Sequence, residues 1–291
     1  MQDRKMMKVA VRSLYALQKL RIQQGNRIAA AFRYKLGLDS SQPEDDDDYA
    51  SNLLKEIRAE FKRITDGIKR ITKNTKTDSP LITTVGELAL LEAYERMLDS
   101  ESMHERAIAD LLKDELIWEE HLLNVRGCGT LMAGVIISEI DIHKCNSISA
   151  LWKYCGLDVI VNDDGTSEGR SRKKHHLEPK DYTNSDGEIV ETVGITFNPF
   201  LKTKLIGVLA SSFIKLGGKY REIYDNHKHW LENHPKHSEK TKSHRHNMAV
   251  RFAIKEFLAD LWTKWRALEG LEVRPRYAEE KLGIVHHEKA A

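Results

Sequence analysis

A pair of glycines in the middle of the chain is the first place where residue types and spacing could do chemistry. Gly127 and Gly129 flank one small residue in VRGCGTLMAG and precede an apolar run. A residue without Cβ can take the positive φ of a tight turn between two helices. Such a turn leaves N–H groups uncovered at the start of the second helix, where the helix dipole favours an anion. The segment predicts a phosphate-binding turn; the alternative is a helix–helix turn with no ligand.

The residues around these glycines are typical of a helix-hairpin-helix motif, which holds DNA by its backbone. Val125 is expected to pack beneath the turn, and Ala133 allows the two helices to approach closely. Phosphate contacts position a protein on DNA but do not specify a base, so we expect sequence-independent binding. The residues predicted to contact DNA here are Arg126, Gly127, Gly129 and Thr130.

A second concentration of polar residues lies between two β-branched runs, LDVIVN and GEIVETVGITF, which each predict a short strand. The stretch between them, DDGTSEGRSRKKHHLEPKDYTNSDG, is predicted to be a long polar loop, and such loops are often functional. Arginine and lysine suit phosphate oxygens, so the loop cations are predicted DNA contacts. They are Arg170, Arg172, Lys173 and Lys174. Lys202, in the helix that follows, is also predicted to contact DNA. The alternative is a mobile, solvated loop.

The last helical segment, roughly residues 241–268, adds three cationic or titratable residues. His244, Arg251 and Lys255 are spaced seven and four apart, so they share a face opposite the aromatic core stripe. This face is predicted to follow a DNA strand; the alternative is the solvated side of an amphipathic helix. Six histidines between His227 and His246 raise the question of zinc, but no cysteine or H-E-x-x-H motif accompanies them. No metal site is predicted.

Mostly helical elements must position these residues. The predicted fold class is mainly α, with a long helical or coiled-coil N-terminal arm and a helix-hairpin-helix C-terminal domain that carries a small β-hairpin insertion. The predicted segments are a basic amphipathic helix (1–38), an acidic linker (39–50), a helical arm (51–121), the helix-hairpin-helix domain (122–270) and a tail (271–291).

Composition limits the class of protein more than its partners. The chain of 291 residues has 41% hydrophobic residues and a formal net charge of +2, so partners must be inferred from local charge. Its three cysteines form no C-x-x-C pair, which argues against a disulfide framework and favours a reducing, cytoplasmic location. No apolar stretch approaches 18 residues, so neither secretion nor a membrane partner is expected.

The order of several segments resembles the C-terminal domain of the IS110 and Piv-type insertion-sequence transposases. The segments are VRGCGTLMAGVIISEI, SISALWKYCGL, ITFNPFLKTKL and HRHNMAVRFAIKEFLADLW, and they span residues 122 to about 268. Arg126 stands where the family has a proline, and Cys155-Gly156-Leu157 keeps the middle segment. The resemblance implies a DNA-binding transposase or site-specific recombinase that works as a dimer or tetramer.

The first 121 residues depart from the family plan. Family members carry an N-terminal RuvC-like domain whose acidic residues bind metal ions, and nothing in residues 1–121 resembles it. We therefore expect no cofactor within this chain, and Mg²⁺ only where a separate RuvC-like subunit supplies the acidic site. The alternative function is a non-catalytic DNA-binding or architectural protein derived from a transposase.

The resemblance also implies a serine nucleophile for DNA, which the family carries in a Ser-x-Gly-type loop. Ser167 in TSEGR and Ser171 in GRSRKK are the two candidates, and both stay open. A serine hydroxyl that attacks phosphorus needs a proton acceptor and nearby cations that stabilise the developing charge. His175 or His176 is expected to take part in proton transfer.

Overall fold

The computed structural model describes residues 2–38, 46–161, 165 and 167–275, with side chains described from residue 4 and except at 46–49 and 167. The chain divides into two compact units. Val9–Ile108 forms the arm unit, and the described residues of Met1–Lys8 and Ala109–Ala291 form the C-terminal unit. The mainly α fold class is confirmed, since helices dominate both units and the strands form two short hairpins.

The arm unit is built from helix α2 (Asp46–Thr65) and from most of helices α1 (Gln2–Lys35) and α3 (Val85–Leu112). Apolar residues recur every three or four positions on each helix and meet in one core. This core contains Ile28, Phe32, Leu53, Ile57, Phe61, Leu88, Leu91 and Tyr94. Ion pairs such as Arg21 with Glu101 join the helices at its edge.

The predicted acidic linker differs in part from the observed boundaries. Helix α2 already begins at Asp46, so the last three aspartates of the run belong to a helix. Carboxylates at a helix N-terminus are favourable because they face the positive end of its dipole. Residues 39–45 of the predicted linker lie outside the described residues.

The C-terminal unit contains the remaining helices. They are α4 (Leu116–Glu120), α5 (Thr130–Glu139), α6 (Ile148–Tyr154), α7 (Pro199–Thr203), α8 (Ala210–Leu216), α9 (Lys219–Asn233) and α10 (Lys242–Leu268). A 3₁₀ turn at Leu122–Asn124 follows α4, and a π-helical segment at Lys204–Leu209 joins α7 to α8. Helix α10 is central, because Phe257, Leu258, Leu261 and Trp262 along one side of it are fully or almost fully buried. Helix α10 agrees with the predicted final helix of residues 241–268.

The predicted long polar loop is wrong in part, because two strands and a 3₁₀ turn lie within it. Strands β1 (Val159–Val161) and β2 (Ser167–Gly169) form one antiparallel hairpin, and β3 (Glu178–Thr183) and β4 (Ile189–Gly194) form a second. A 3₁₀ turn at Lys174–His176 lies between the two hairpins. Strands β2 and β3 escape sequence patterns because both are polar, and β3 is also mostly exposed. Pairing with a neighbouring strand stabilises each of them.

Within the described residues, no helix combines the length and apolar character that crossing a bilayer requires.

Candidate functional site

The turn at residues 125–129, called the glycine hairpin here, connects the 3₁₀ turn after α4 to helix α5. Gly127 has a φ of +95°, and a Cβ there would lie 3.0 Å from Cδ1 of Phe213 and 3.3 Å from the backbone carbon of Ser212. Gly127 is therefore required both by its conformation and by the close approach of α8. Gly129 is different, because its φ of −75° and ψ of 173° are open to any residue and a Cβ there would meet open space. The expectation of a positive φ holds only for Gly127.

The start of α5 leaves backbone donors uncovered, as predicted. Gly129 is the N-cap residue and has no side chain to bond the first N–H groups of the helix. Among the described residues, none accepts a hydrogen bond from the backbone N–H of Thr130 or Leu131. The Arg126 side chain beside the turn is exposed. Together these groups offer an anion two neutral donors and one cation.

A hydrogen-bonded chain links Ser171, His176 and Glu168 in the first hairpin and the turn after it. The Ser171 Oγ lies 2.9 Å from Nδ1 of His176, and the other ring nitrogen, Nε2, lies 3.0 Å from Oε1 of Glu168. The His176 ring is buried, with 2% of the residue exposed. The sequence named Ser171 and His176, but it gave no signal for Glu168, which reaches the pair only because β2 folds back beside the 3₁₀ turn.

One backbone hydrogen bond decides the tautomer of His176. The Ser171 N–H donates to Nδ1 at 2.9 Å, and a backbone N–H is always a donor. Nδ1 must therefore carry the lone pair, and the ring proton lies on Nε2, facing the Glu168 carboxylate. The Lys173 N–H donates to Ser171 Oγ at 3.3 Å, so the hydroxyl proton is free to point at Nδ1.

This arrangement has the parts of a serine nucleophile with its base. An imidazole lone pair bonded to a serine hydroxyl can take its proton, and a carboxylate on the opposite ring nitrogen orients the ring and stabilises the imidazolium. Hydrogen bonds from Lys173 and His175 lower the pKa of Glu168 to about 2, so this carboxylate stays ionised. His175 itself is exposed and bonds Glu168 at 2.7 Å without touching Ser171.

The second predicted nucleophile is placed only by its backbone. Ser167 lies at the start of β2 and pairs with Val161 of β1. Its side chain is outside the described part of the structure. The geometry therefore brings a base and a carboxylate to Ser171 and leaves Ser167 as a prediction from sequence.

The same residues raise the possibility of a metal ion. Glu168, His175 and His176 each offer one ligand atom, all within 4.8 Å of one another. A histidine that binds a metal through one ring nitrogen normally donates a proton from the other to an acceptor. In His176 the other nitrogen, Nδ1, faces the donor N–H of Ser171, so metal binding at Nε2 would set two N–H groups against each other. The hydrogen bond at Nδ1 therefore disfavours a metal ion at Nε2.

Arg170 is predicted to contact DNA, which requires an exposed side chain, but it is buried. Its buried guanidinium donates to both carboxylate oxygens of Asp158, at 2.7 and 3.0 Å, and to Glu178 and Thr196 at 3.1 and 2.8 Å. These acceptors come from β3 and from the segments flanking β1 and α7. Arg170 therefore fixes the two hairpins to the unit, and its planar fork is already occupied.

The other cations predicted in this region differ in how free they are. Lys173 forms an ion pair with Glu168. Arg172 and Lys174 are exposed, and in the part of the chain that the structure describes neither makes an ion pair. His244 is also exposed, in the first turn of α10. Arg172 and Lys174 lie beside Ser171 in sequence and remain available to a phosphate.

Three further predicted cations, Lys202, Arg251 and Lys255, come together beside β2 and are called the cation cluster here. The Lys202 Nζ donates to the carbonyl oxygen of Arg170. The Arg251 guanidinium lies against Gly169, where a Cβ would overlap it. Lys255 follows Arg251 by about one turn of α10, so the two side chains lie on the same face of the helix. Burial lowers the pKa of Lys255, and the charge of Arg251 lowers it further. The cluster thus adjoins the strand that leads into Ser171.

The comparison with known families agrees with the sequence resemblance over part of the chain. Residues 119–179 match the family model described as the transposase IS116/IS110/IS902 family. The match includes the glycine hairpin, Glu168, Ser171 and His176, and the resemblance to the transposase C-terminal domain is confirmed there. No curated protein and no solved structure matches the chain.

Proposed function

We propose that the protein is a transposase-like or recombinase-like DNA protein in which Ser171 is the nucleophile that attacks a DNA phosphodiester. The observation that carries the proposal is the chain from Ser171 Oγ through His176 to Glu168, with a tautomer suited to proton transfer. The family match of residues 119–179, which contains all three residues, supports DNA as the substrate.

The proposed reaction is a conservative cleavage and rejoining. As Ser171 Oγ attacks phosphorus, its proton passes to His176 Nδ1, and Glu168 stabilises the imidazolium. A bond forms between Oγ and phosphorus, the bond to one DNA oxygen breaks, and that oxygen takes the proton from His176. A DNA hydroxyl then attacks the phosphoserine ester, which restores Ser171 and rejoins a strand without external energy.

The glycine hairpin holds DNA in this proposal. The uncovered N–H groups of Thr130 and Leu131, with exposed Arg126, contact a backbone phosphate without reading the base. Exposed Arg172 and Lys174 add contacts beside the nucleophile. We further propose that a dimer or tetramer brings two strands together, and that any Mg²⁺ is held by a separate RuvC-like subunit.

The test is a search for a covalent protein–DNA adduct. The full chain is incubated with DNA that carries candidate insertion ends, with and without Mg²⁺, and resolved on a denaturing gel. We expect an adduct that disappears in Ser171→Ala and persists in Ser167→Ala. An adduct that survives in Ser171→Ala and is lost in Ser167→Ala would move the nucleophile to Ser167.

A second candidate is a DNA-binding protein without strand cleavage. The observation that favours it is the arm unit, because the described residues of 9–108 contain helices and connections but no strand that could carry a RuvC-like set of carboxylates. This candidate predicts DNA binding that weakens steeply with salt, and no adduct under any condition.

A further inference from the structure

We infer that the cation cluster of Lys202, Arg251 and Lys255 is an anion pocket that holds the non-bridging oxygens of the phosphodiester attacked by Ser171. The identity of the anion rests on the proposed function, whereas the capacity to bind phosphate rests on the cluster alone. Nothing in the matched segment assigns this role, since residues 119–179 end before all three cations.

The first observation is that no carboxylate among the described residues forms an ion pair with the cluster. In the described part of the chain, Arg251 and Lys255 form no ion pair and Lys202 bonds only a carbonyl oxygen. Asp158 attracts all three charges, but both of its carboxylate oxygens already accept hydrogen bonds from Arg170. Glu256 attracts Lys255 in addition. Among the described residues, the three cations therefore outnumber the carboxylates that attract them.

The second observation is that the cations are partly buried while they repel one another. Burial lowers the pKa of each of Lys202, Arg251 and Lys255, and the charge of Arg251 lowers the pKa of both lysines further. Removing a charge from water without a counter-charge costs free energy, and like charges at short range add to that cost. A phosphate anion would remove both costs at once.

The third observation is that the Arg251 guanidinium lies directly against the backbone of Gly169. Any side chain at Gly169 would overlap the Arg251 guanidinium, so the guanidinium can lie against β2 only because Gly169 has no Cβ. Ser171 follows two residues later, and the carbonyl bonded by Lys202 belongs to the peptide group that ends at the Ser171 nitrogen. The planar guanidinium can donate two parallel hydrogen bonds to phosphate oxygens. The cluster thus adjoins the proposed nucleophile.

Lys255 of the cluster lies against an aromatic ring. The Lys255 Nζ lies 4.1 Å from the centre of the Trp152 ring, and the Trp152 indole N–H donates to the Lys255 carbonyl at 3.2 Å. Contact with an aromatic face holds an ammonium group in place without neutralising its charge. Lys255 is therefore fixed in position and still able to attract an anion.

Thermal unfolding with inorganic phosphate tests the pocket, using the full chain and sodium chloride at matched ionic strength as the reference. Phosphate should raise the unfolding midpoint of the unmodified protein by about 2 °C or more. In Arg251→Met we expect the phosphate effect to disappear and the midpoint without phosphate to rise by about 2–4 °C, because a repelled charge is removed. Lys264→Met is the control, since Lys264 lies on the same helix, is only partly buried, and has its Nζ 3.8 Å from a carboxylate oxygen of Glu120.

A second variant keeps the charge and moves it. Gly169→Ala should displace the Arg251 guanidinium, because its Cβ would meet only the flexible end of that side chain. We expect at least a tenfold weaker phosphate affinity in Gly169→Ala by titration calorimetry. Absence of phosphate binding in the unmodified protein, unchanged binding in both variants, or a lower midpoint of Arg251→Met without phosphate would each overturn the pocket.

The adduct assay separates this inference from the proposed function. Phosphate binding that depends on Arg251, in a protein that never forms an adduct, would support the anion pocket and contradict the serine mechanism. An adduct that forms equally fast in Arg251→Met and in the unmodified protein would support the serine nucleophile and contradict the role of the anion pocket.

Discussion

At the scale of single residues, the two nitrogens of the His176 ring have different neighbours, and this difference defines the site. Nδ1 accepts from the Ser171 backbone and hydroxyl, whereas Nε2 faces Glu168. The sequence could name Ser171 and the adjacent histidines as candidates. It could not choose between His175 and His176, because only folding buries one ring and leaves the other exposed.

His176→Gln tests the proton acceptor directly. Glutamine keeps hydrogen-bonding atoms near Ser171 but cannot accept the hydroxyl proton, so we expect the initial rate of adduct formation to fall by about 10²–10⁴-fold. His175→Gln is the matched control, because His175 contacts Glu168 but not Ser171, and its rate should stay within about threefold of the unmodified protein. Equal losses in the two variants would contradict the assignment of His176 as the base.

At the scale of elements, the sequence predicts α10 from its apolar periodicity and α5 from the apolar run that follows the glycine pair. Helix α9 is missed because only Tyr220, Tyr224 and Leu231 are buried in an otherwise polar segment. Arg170 is assigned to DNA from its type alone, since its acceptors Asp158 and Glu178 become neighbours only through hairpin pairing. Tertiary partners of charged residues are not encoded in local pattern.

The two glycines of the hairpin should respond differently to substitution. In Gly127→Ala the new Cβ meets a positive φ and a contact of 3.0 Å to Phe213, so we expect the free energy of unfolding to fall by about 1–3 kcal/mol. Gly129→Ser should raise it by a few tenths to about 1 kcal/mol, because serine is a better N-cap and the position is sterically open. Urea unfolding measures both.

In Gly129→Ser, the affinity for DNA should fall although the stability of the protein rises. Its hydroxyl would accept a hydrogen bond from the first N–H groups of α5, which the proposal assigns to a phosphate. We expect a several-fold weaker affinity for a short duplex by fluorescence anisotropy in this more stable variant. Unchanged affinity would mean that the start of α5 does not contact the DNA backbone.

At the scale of the whole molecule, a net charge of +2 hides strong local differences. Composition alone gave no partner, whereas folding collects three cations beside Ser171 and pairs Arg170 and Lys173 with carboxylates. Which cations are free therefore depends on three-dimensional pairing, and a count along the chain could not show it. The same holds for histidines, six of which lie between His227 and His246 in diverse surroundings.

The stability of the C-terminal unit should depend on pH through His227. The His227 ring stacks on Phe252 at 3.9 Å between ring centres and on Trp230 at 5.4 Å, and burial lowers its pKa to about 4. The unfolded chain takes up the proton near pH 6.5 and the folded unit only near pH 4. Stability is therefore complete above pH 6.5 and is lost as the pH falls toward 4, by on the order of 3 kcal/mol in total.

Tryptophan fluorescence during urea unfolding can follow this loss, because all five tryptophans lie in the C-terminal unit. Between pH 7.5 and 5 we expect His227→Phe to flatten the pH dependence, since phenylalanine keeps the stacking and cannot be protonated. His229→Phe is the control, because His229 is exposed on the same helix. Glu168 does not interfere in this range, since its lowered pKa of about 2 confines its contribution to lower pH. A pH dependence that persists unchanged in His227→Phe would show that another group causes the loss.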